Sequence, residues 1–132
     1  MTLVLWCVLI AALMPIVCAG IAKSRGVGKR RRDGGFDNNN PRAWLAQQTG
    51  WQARANAAQA NSFEALPFFM GAVAIAVAAG ADLQRLGLLM VAWLVLRICF
   101  VGLYLADAAN ARSVVWTAAL AVNVAILFAA LK

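Results

Sequence analysis

The chain has 132 residues, of which 64% are apolar and 13% charged, with a formal net charge of +7. Soluble domains are only ~45–50% apolar, so this composition excludes an ordinary water-soluble fold, and a helix that crosses a bilayer needs about 20 apolar residues. The complete absence of histidine removes the commonest general base, the usual haem ligand and most catalytic zinc schemes.

Four segments are long and apolar enough to span, at about 2–22, 63–81, 84–106 and 113–131. They leave no room for a separate soluble domain. The expected fold is an all-α integral membrane protein, a single domain over 1–132 built as a four-transmembrane-helix bundle.

The first apolar segment, Thr2 to Ile21, has no positive charge before it; the cationic cluster follows instead. That order suits a retained first helix rather than a cleaved signal peptide. Half of the twelve basic residues lie in Lys23-Ser-Arg25-Gly-Val-Gly-Lys29-Arg30-Arg31-Arg32. Positive residues beside a span stay in the cytoplasm, so the loop 23–50 is expected inside an inner cell membrane, with the N-terminus and Lys132 outside. Orientation and anionic-lipid contact account for the basic run without a nucleic-acid partner. Cys7, Cys18 and Cys99 all fall within spans and read as small apolar filler.

The stretch Asp33-Gly-Gly-Phe-Asp37-Asn-Asn-Asn40-Pro41-Arg42 is rich in turn formers. Asn40 before Pro41 predicts a capped short helix through about Gln48, broken by Gly50. Trp44 and Trp51 suit the headgroup level. A longer helix is expected to begin near Gly50-Trp51 and run past Glu64, with a kink near Pro67. Helical spacing puts Arg54, Asn61 and Glu64 within roughly 80° of one face, while Asn56 and Gln59 point the other way.

The third span carries Arg97 in its middle. A guanidinium stays charged at physiological pH, and burying it in hydrocarbon costs several kcal/mol unless it is paired or wetted. Counted from the outer connection at 1.5 Å per residue, Glu64 lies about 26 Å inward and Arg97 about 21 Å, so the carboxylate is the expected partner. Arg97, Phe100, Val101 and Tyr104 share one helix face. The last span is expected to open at Arg112-Ser113, after Asp107 and Asn110 as caps. Free N–H groups there, with Arg112 beside them, suit an anion or a thiolate.

One zone near the cytoplasmic side thus gathers Arg54, Asn61, Glu64, Arg97, Tyr104, Arg112 and Ser113. Arginines and an amide suit carboxylates, and a glutamate suits an ammonium. From spacing alone, any zwitterionic or anionic amphiphile fits.

The order Asn61-x-x-Glu64-x-x-Pro67-Phe-Phe, Arg97-x-x-Phe-x-x-x-Tyr104, Arg112-Ser113-x-x-Trp116 resembles the MAPEG family, the membrane-associated proteins in eicosanoid and glutathione metabolism. Asp37-Asn-Asn-Asn-Pro-Arg42 and Arg54-Ala-Asn-Ala-Ala-Gln-Ala-Asn61 are similar to its bacterial branch, and the likeness covers nearly the whole chain. The resemblance implies a homotrimer with glutathione as co-substrate, bound between neighbouring subunits near the cytoplasmic face. It implies a glutathione-binding set of Arg25, Arg54, Asn61, Glu64, Arg97 and Tyr104, with Lys23 as the alternative to Arg25, and a catalytic pair, Arg112 and Ser113, that activates the thiolate. The expected activity is transferase or peroxidase chemistry on a lipophilic small molecule.

Four positions depart from the family pattern. Phe100 and Gln59 stand where well-studied eukaryotic members have histidine, Ala60 replaces an arginine, and Trp116 a tyrosine. These changes motivate the alternative of a non-catalytic trimeric scaffold. A small cation exporter fits less well, because its first helix would carry a carboxylate and this one carries no charge.

Overall fold

The computed structural model describes residues 1–131; Lys132, expected at the outer end of the last span, lies outside the described residues. The chain forms α1 (Thr2–Lys23), a 3₁₀ turn at Arg31–Asp33, and the short α2 (Pro41–Ala46), followed by α3 (Gly50–Ala78), α4 (Leu83–Leu105) and α5 (Ala109–Leu127). The four long helices are each long and apolar enough to cross a membrane. At 1.5 Å per residue, the 29 residues of α3 extend about 43 Å, well beyond the ~30 Å hydrocarbon thickness. The surplus is its polar start, Gly50 to Asn61. Pro67 does not break the helix; α3 is continuous from Gly50 to Ala78.

Two details differ from the sequence reading: an expected cap that does not form and a helix that starts earlier. Asn40 makes no capping hydrogen bond, and α2 starts on Pro41 alone and ends at Ala46. The last helix begins at Ala109 rather than Ser113. Asp107 turns the chain with a φ of +62° and Ala108 takes the cap position, so neither Asp107 nor Asn110 caps the helix. Asp82 does cap α4: its Oδ1 accepts from the Arg85 N–H at 2.7 Å.

In the bundle, α3 and α4 form the middle, with α1 and α5 packed against them as flanking helices. The buried stripe of α1 is Val4, Cys7, Ala11, Pro15, Cys18 and Ala22, at spacings of three and four. These are mostly small residues, and small contacts let helix backbones approach closely where lipid offers no hydrophobic drive. Ala55, Ala58, Ala72 and Ala76 of α3 repeat the device. At Gly87 a Cβ would stand 2.7 Å from Leu3 Cδ2, so the start of α4 packs closely on the Leu3 side chain of α1. The centre is filled by Phe69 stacked on Trp93, ring centroids 3.9 Å apart. Outward faces carry Leu5, Trp6, Ile16, Val17, Ile75, Leu88, Val95 and Phe128, an apolar surface that suits lipid tails.

The basic loop folds back on its own end of the bundle. Phe36 meets Trp44 edge to face at 5.3 Å, and Lys23 lies over the Phe36 ring. Trp44 is therefore buried under the loop. Gly26 lies against the Trp44 ring and Phe36 N with no room for a Cβ. An ion pair joins Arg31 to Asp37. Below the loop, buried Gln52 of α3 donates from Nε2 to the Ala22 carbonyl of α1 at 3.1 Å, satisfying a carbonyl that the ending helix leaves free. Gln52→Leu is expected to destabilise the folded chain by about 1–3 kcal/mol, because the buried carbonyl loses its donor. Thermal unfolding in detergent micelles, read by circular dichroism, measures this.

Candidate functional site

Three helix faces enclose a cleft of about 230 Å³. From α3 come Asn61, Glu64, Ala65 and Phe68, at positions i, i+3, i+4 and i+7; from α5 come Trp116, Ala119, Leu120 and Asn123 with the same spacing. Trp93 and Arg97, one turn apart on α4, form the remaining wall. The lining is apolar at its sides, with a cation, a carboxylate and two amides placed among aromatic rings.

Arg97 is the chemical centre of this cleft. It is only 2% exposed. One terminal nitrogen of its guanidinium donates to Asn61 Oδ1 at 2.9 Å. The expected pairing with Glu64 is not formed. Among the described residues the two ion pairs are Arg31–Asp37 and Arg54–Asp107, and Glu64 sits exposed at the cleft edge. The reason is azimuth. Asn61 and Glu64 lie three residues apart, about 60° around the helix, which turns the amide towards α4 and the carboxylate outward. Residue counting brings the two to one cleft but does not set which way each points.

Aromatic rings complete the guanidinium's surroundings. Arg97 lies over the Phe100 ring at 4.5 Å and is 6.0 Å from the centroid of Trp93. Phe100 meets Tyr104 edge to face at 5.5 Å, and Arg112 of α5 lies over the Tyr104 ring at 4.1 Å. The result is a continuous ladder, Arg97–Phe100–Tyr104–Arg112, with a cation at each end. A cation over an aromatic face gains about 0.5–2 kcal/mol, more when desolvated. Phe100 thus lies under the Arg97 guanidinium and passes the ladder on to Tyr104, which carries Arg112.

The remaining expected site residues make other contacts within the chain. Arg54 Nε donates to the Leu105 carbonyl at 3.0 Å, and its Nη1 lies 3.5 Å from Asp107 Oδ2, which fastens α3 to the α4–α5 turn. Arg25 stacks over Trp51 at 5.4 Å, away from the cleft. Ser113 donates its hydroxyl to the Ala109 carbonyl at 3.1 Å. Because α5 starts at Ala109, the Arg112 N–H is already bonded to the Ala108 carbonyl at 2.9 Å. The free amides of this helix end belong to Ala109, Asn110 and Ala111 instead. Within one chain, then, Asn61, Glu64 and Arg97 share the cleft, Tyr104 and Arg112 join it through the ladder, and Arg25, Arg54 and Ser113 stand apart.

Asn123 and Trp93 line the cleft but were not singled out from sequence. For Asn123 the signal was present: it is the one amide in the apolar stretch Val114 to Leu127. A polar group inside a span is rare enough to be read as functional by default.

A four-helix membrane bundle with a buried arginine and a polar cleft between three of its spans is the class of protein defined by this architecture. The chain belongs to the MAPEG family, which it matches over residues 3–132, essentially its whole length. No curated protein and no solved structure gives a match. Family membership supports, in general terms, a glutathione-related transferase or peroxidase role or a related membrane function.

The Arg97–Asn61 bond should carry measurable coupling. Hydrogen bonds to charged groups contribute about 1.5–3 kcal/mol, and leaving a buried guanidinium unpaired costs more than removing it. Asn61→Leu is therefore expected to destabilise the protein more than the double substitution Asn61→Leu/Arg97→Met. A double-mutant cycle on detergent unfolding reads the difference.

Proposed function

We propose that this protein is a membrane-bound, glutathione-dependent transferase or peroxidase that acts on lipophilic electrophiles or hydroperoxides. The observation that carries the reading is the ladder with a guanidinium at each end, one of them buried in a cleft beside an amide and a carboxylate. Arg97 and Tyr104 lie seven residues apart on one helix face, about 10.5 Å. An extended tripeptide spans roughly the same length, at ~3.3–3.6 Å per residue. Glutathione carries carboxylates at both ends and one ammonium. In this reading Arg97 and Asn61 take a carboxylate, Glu64 faces the ammonium, and Arg112 lies near the thiol.

The chemistry needs no protein nucleophile. A free thiol has a pKa of about 8.5, so at neutral pH most of it is protonated. Lowering that value by two units takes about 2.7 kcal/mol of preferential thiolate stabilisation. A guanidinium such as Arg112, beside the first turn of α5 and partly shielded from water, supplies a charge of the required sign. The sulfur then attacks an electrophilic carbon, forming a thioether as the leaving group departs. With a hydroperoxide it attacks the outer oxygen, releasing an alcohol and leaving an oxidised sulfur for a second glutathione to reduce. Ser113 is the other candidate for thiolate activation, provided its hydroxyl turns from Ala109 towards the sulfur.

The assembly proposed is a homotrimer. It brings a neighbour's surface, and the Arg25 region with it, against the cleft edge where Glu64 is otherwise uncovered. The basic loop is proposed to face the cytoplasm of a cell whose inner membrane holds the protein, by the positive-inside rule.

A non-catalytic scaffold is the second reading. It draws support from Arg54 and Ser113, whose polar groups are committed to backbone carbonyls in the folded chain. The two readings part on Arg112→Ala. A glutathione enzyme loses the ultraviolet absorbance of bound thiolate, and its kcat/KM falls by about 100-fold or more, with assembly intact. A scaffold shows no thiolate absorbance in the parent protein either. Absorbance difference spectra on the purified protein with glutathione, alongside sizing in detergent, decide between them.

A further inference from the structure

A second concavity lies on the flank held by α1, between α1 and α4, and encloses about 540 Å³. It runs from Ile10 to Ile21 along α1 and from Ile98 to Leu105 along α4, and none of its lining side chains carries a charge, an amide or a hydroxyl. Leu13, Val17 and Ile98 line it and are exposed. It shares no residue with the polar cleft, so neither the buried arginine nor the glutathione reading accounts for it. At 1.5 Å per residue, Ile10 to Ile21 covers about 17 Å, close to half of the ~30 Å hydrocarbon thickness. The groove therefore has the length of one leaflet. That leaflet is the one on the basic-loop side, because α1 ends at Lys23, two residues past Ile21.

The loop-side end of the groove is cationic. Arg54 Nε donates to the carbonyl of Leu105, the last groove residue of α4, at 3.0 Å. From Lys23 to Arg42 the chain carries seven basic residues and two acidic ones. One of those acids, Asp37, is paired with Arg31, while Lys29, Arg30 and Arg32 stand exposed. The loop that presents them is folded rather than slack: the Phe36 N–H closes on the Gly26 carbonyl at 2.9 Å, and Gly35 lies too close to the Lys29 carbonyl for a Cβ. We propose that the α1–α4 groove is a binding site for one anionic phospholipid. An acyl chain lies along Val17 and Val101, and the phosphate meets the cationic end, in the field of Arg54, Lys29, Arg30 and Arg32. The occupant follows from complementarity of both parts, an uncharged channel of leaflet length and a positive cluster at headgroup level. Lipid held there is selected by headgroup charge and counted one per chain, which distinguishes it from the exchanging lipid around the bundle.

Gly102 supplies the means of closing the groove, since a Cβ added there meets no atom within 4 Å. Gly102→Leu fills the space and replaces a glycine inside a helix with a better helix former, so the melting temperature stays level or rises. The experiment adds dioleoyl phosphatidylglycerol or dioleoyl phosphatidylcholine to the full-length protein in detergent micelles and counts bound lipid by native mass spectrometry. The wild type is expected to retain phosphatidylglycerol about tenfold more tightly than phosphatidylcholine, saturating at one per chain. Gly102→Leu is expected to lose about tenfold in affinity for phosphatidylglycerol. Lys29→Gln/Arg30→Gln/Arg32→Gln, altered only at exposed side chains, is expected to bind phosphatidylglycerol no better than phosphatidylcholine. Equal retention of the two lipids by the wild type overturns the proposal, as does a headgroup preference that survives the triple substitution. Unchanged phosphatidylglycerol binding by Gly102→Leu places the lipid elsewhere and overturns it too. Sizing of the same samples tests the competing occupant: an assembly that falls apart in Gly102→Leu makes the groove a contact between copies of the chain, which also overturns the lipid assignment.

Discussion

A permanent cation inside a span is the constraint around which this bundle is organised. Arg97 cannot shed its charge, and about 12 Å from the nearer end of α4 its side chain is buried away from solvent. Its stabilisation comes from an amide and two aromatic rings rather than from an opposite charge. A neutral partner leaves the guanidinium's charge uncancelled. A buried ion pair would close on itself, whereas this arrangement keeps a positive field in the cleft that an incoming anion can use.

The same interaction explains choices further along the chain. Phe100 and Tyr104 carry the ladder towards the basic-loop end, where Arg112 finishes it from a different helix. Arg54 reaches across from α3 to hold the turn that this ladder straddles. Four residues that a sequence reading places in one ligand-binding zone thus divide into a buried anchor, an aromatic bridge, a terminal cation and a structural strut. The scaffold and the candidate chemistry use overlapping parts.

How much of this was legible beforehand follows from what each kind of signal encodes. Composition and run length mark the four spans, because the bilayer demands long apolar helices irrespective of packing detail. The position of α3's start at Gly50 was also visible, through the turn formers ahead of it. The start of α5 was not, since Asp107 adopts a left-handed backbone conformation and Ala108 occupies the cap site without any polar side chain to announce it. In the cleft, residue counting places Arg97 and Glu64 at similar depth but leaves open which way each points once the helices pack. The three-residue offset between Asn61 and Glu64 was enough to exchange the partner. Asn123 is marked in the sequence only as a lone amide in an apolar run; the companions that place it in the cleft are on other helices.

The turn between α4 and α5 spans only Ala106, Asp107 and Ala108. Tyr104 precedes it and Arg112 follows it, and the two side chains touch across it. One added residue there would have to be looped out of a three-residue turn to keep Trp116 and Asn123 in register with Arg97. The basic loop closes on no such cross-helix stack of the cleft. Length variation among related chains should accordingly be tolerated between α1 and α3 and forbidden between α4 and α5, a spacing rule imposed by a ring and a guanidinium on a stretch of backbone that neither belongs to.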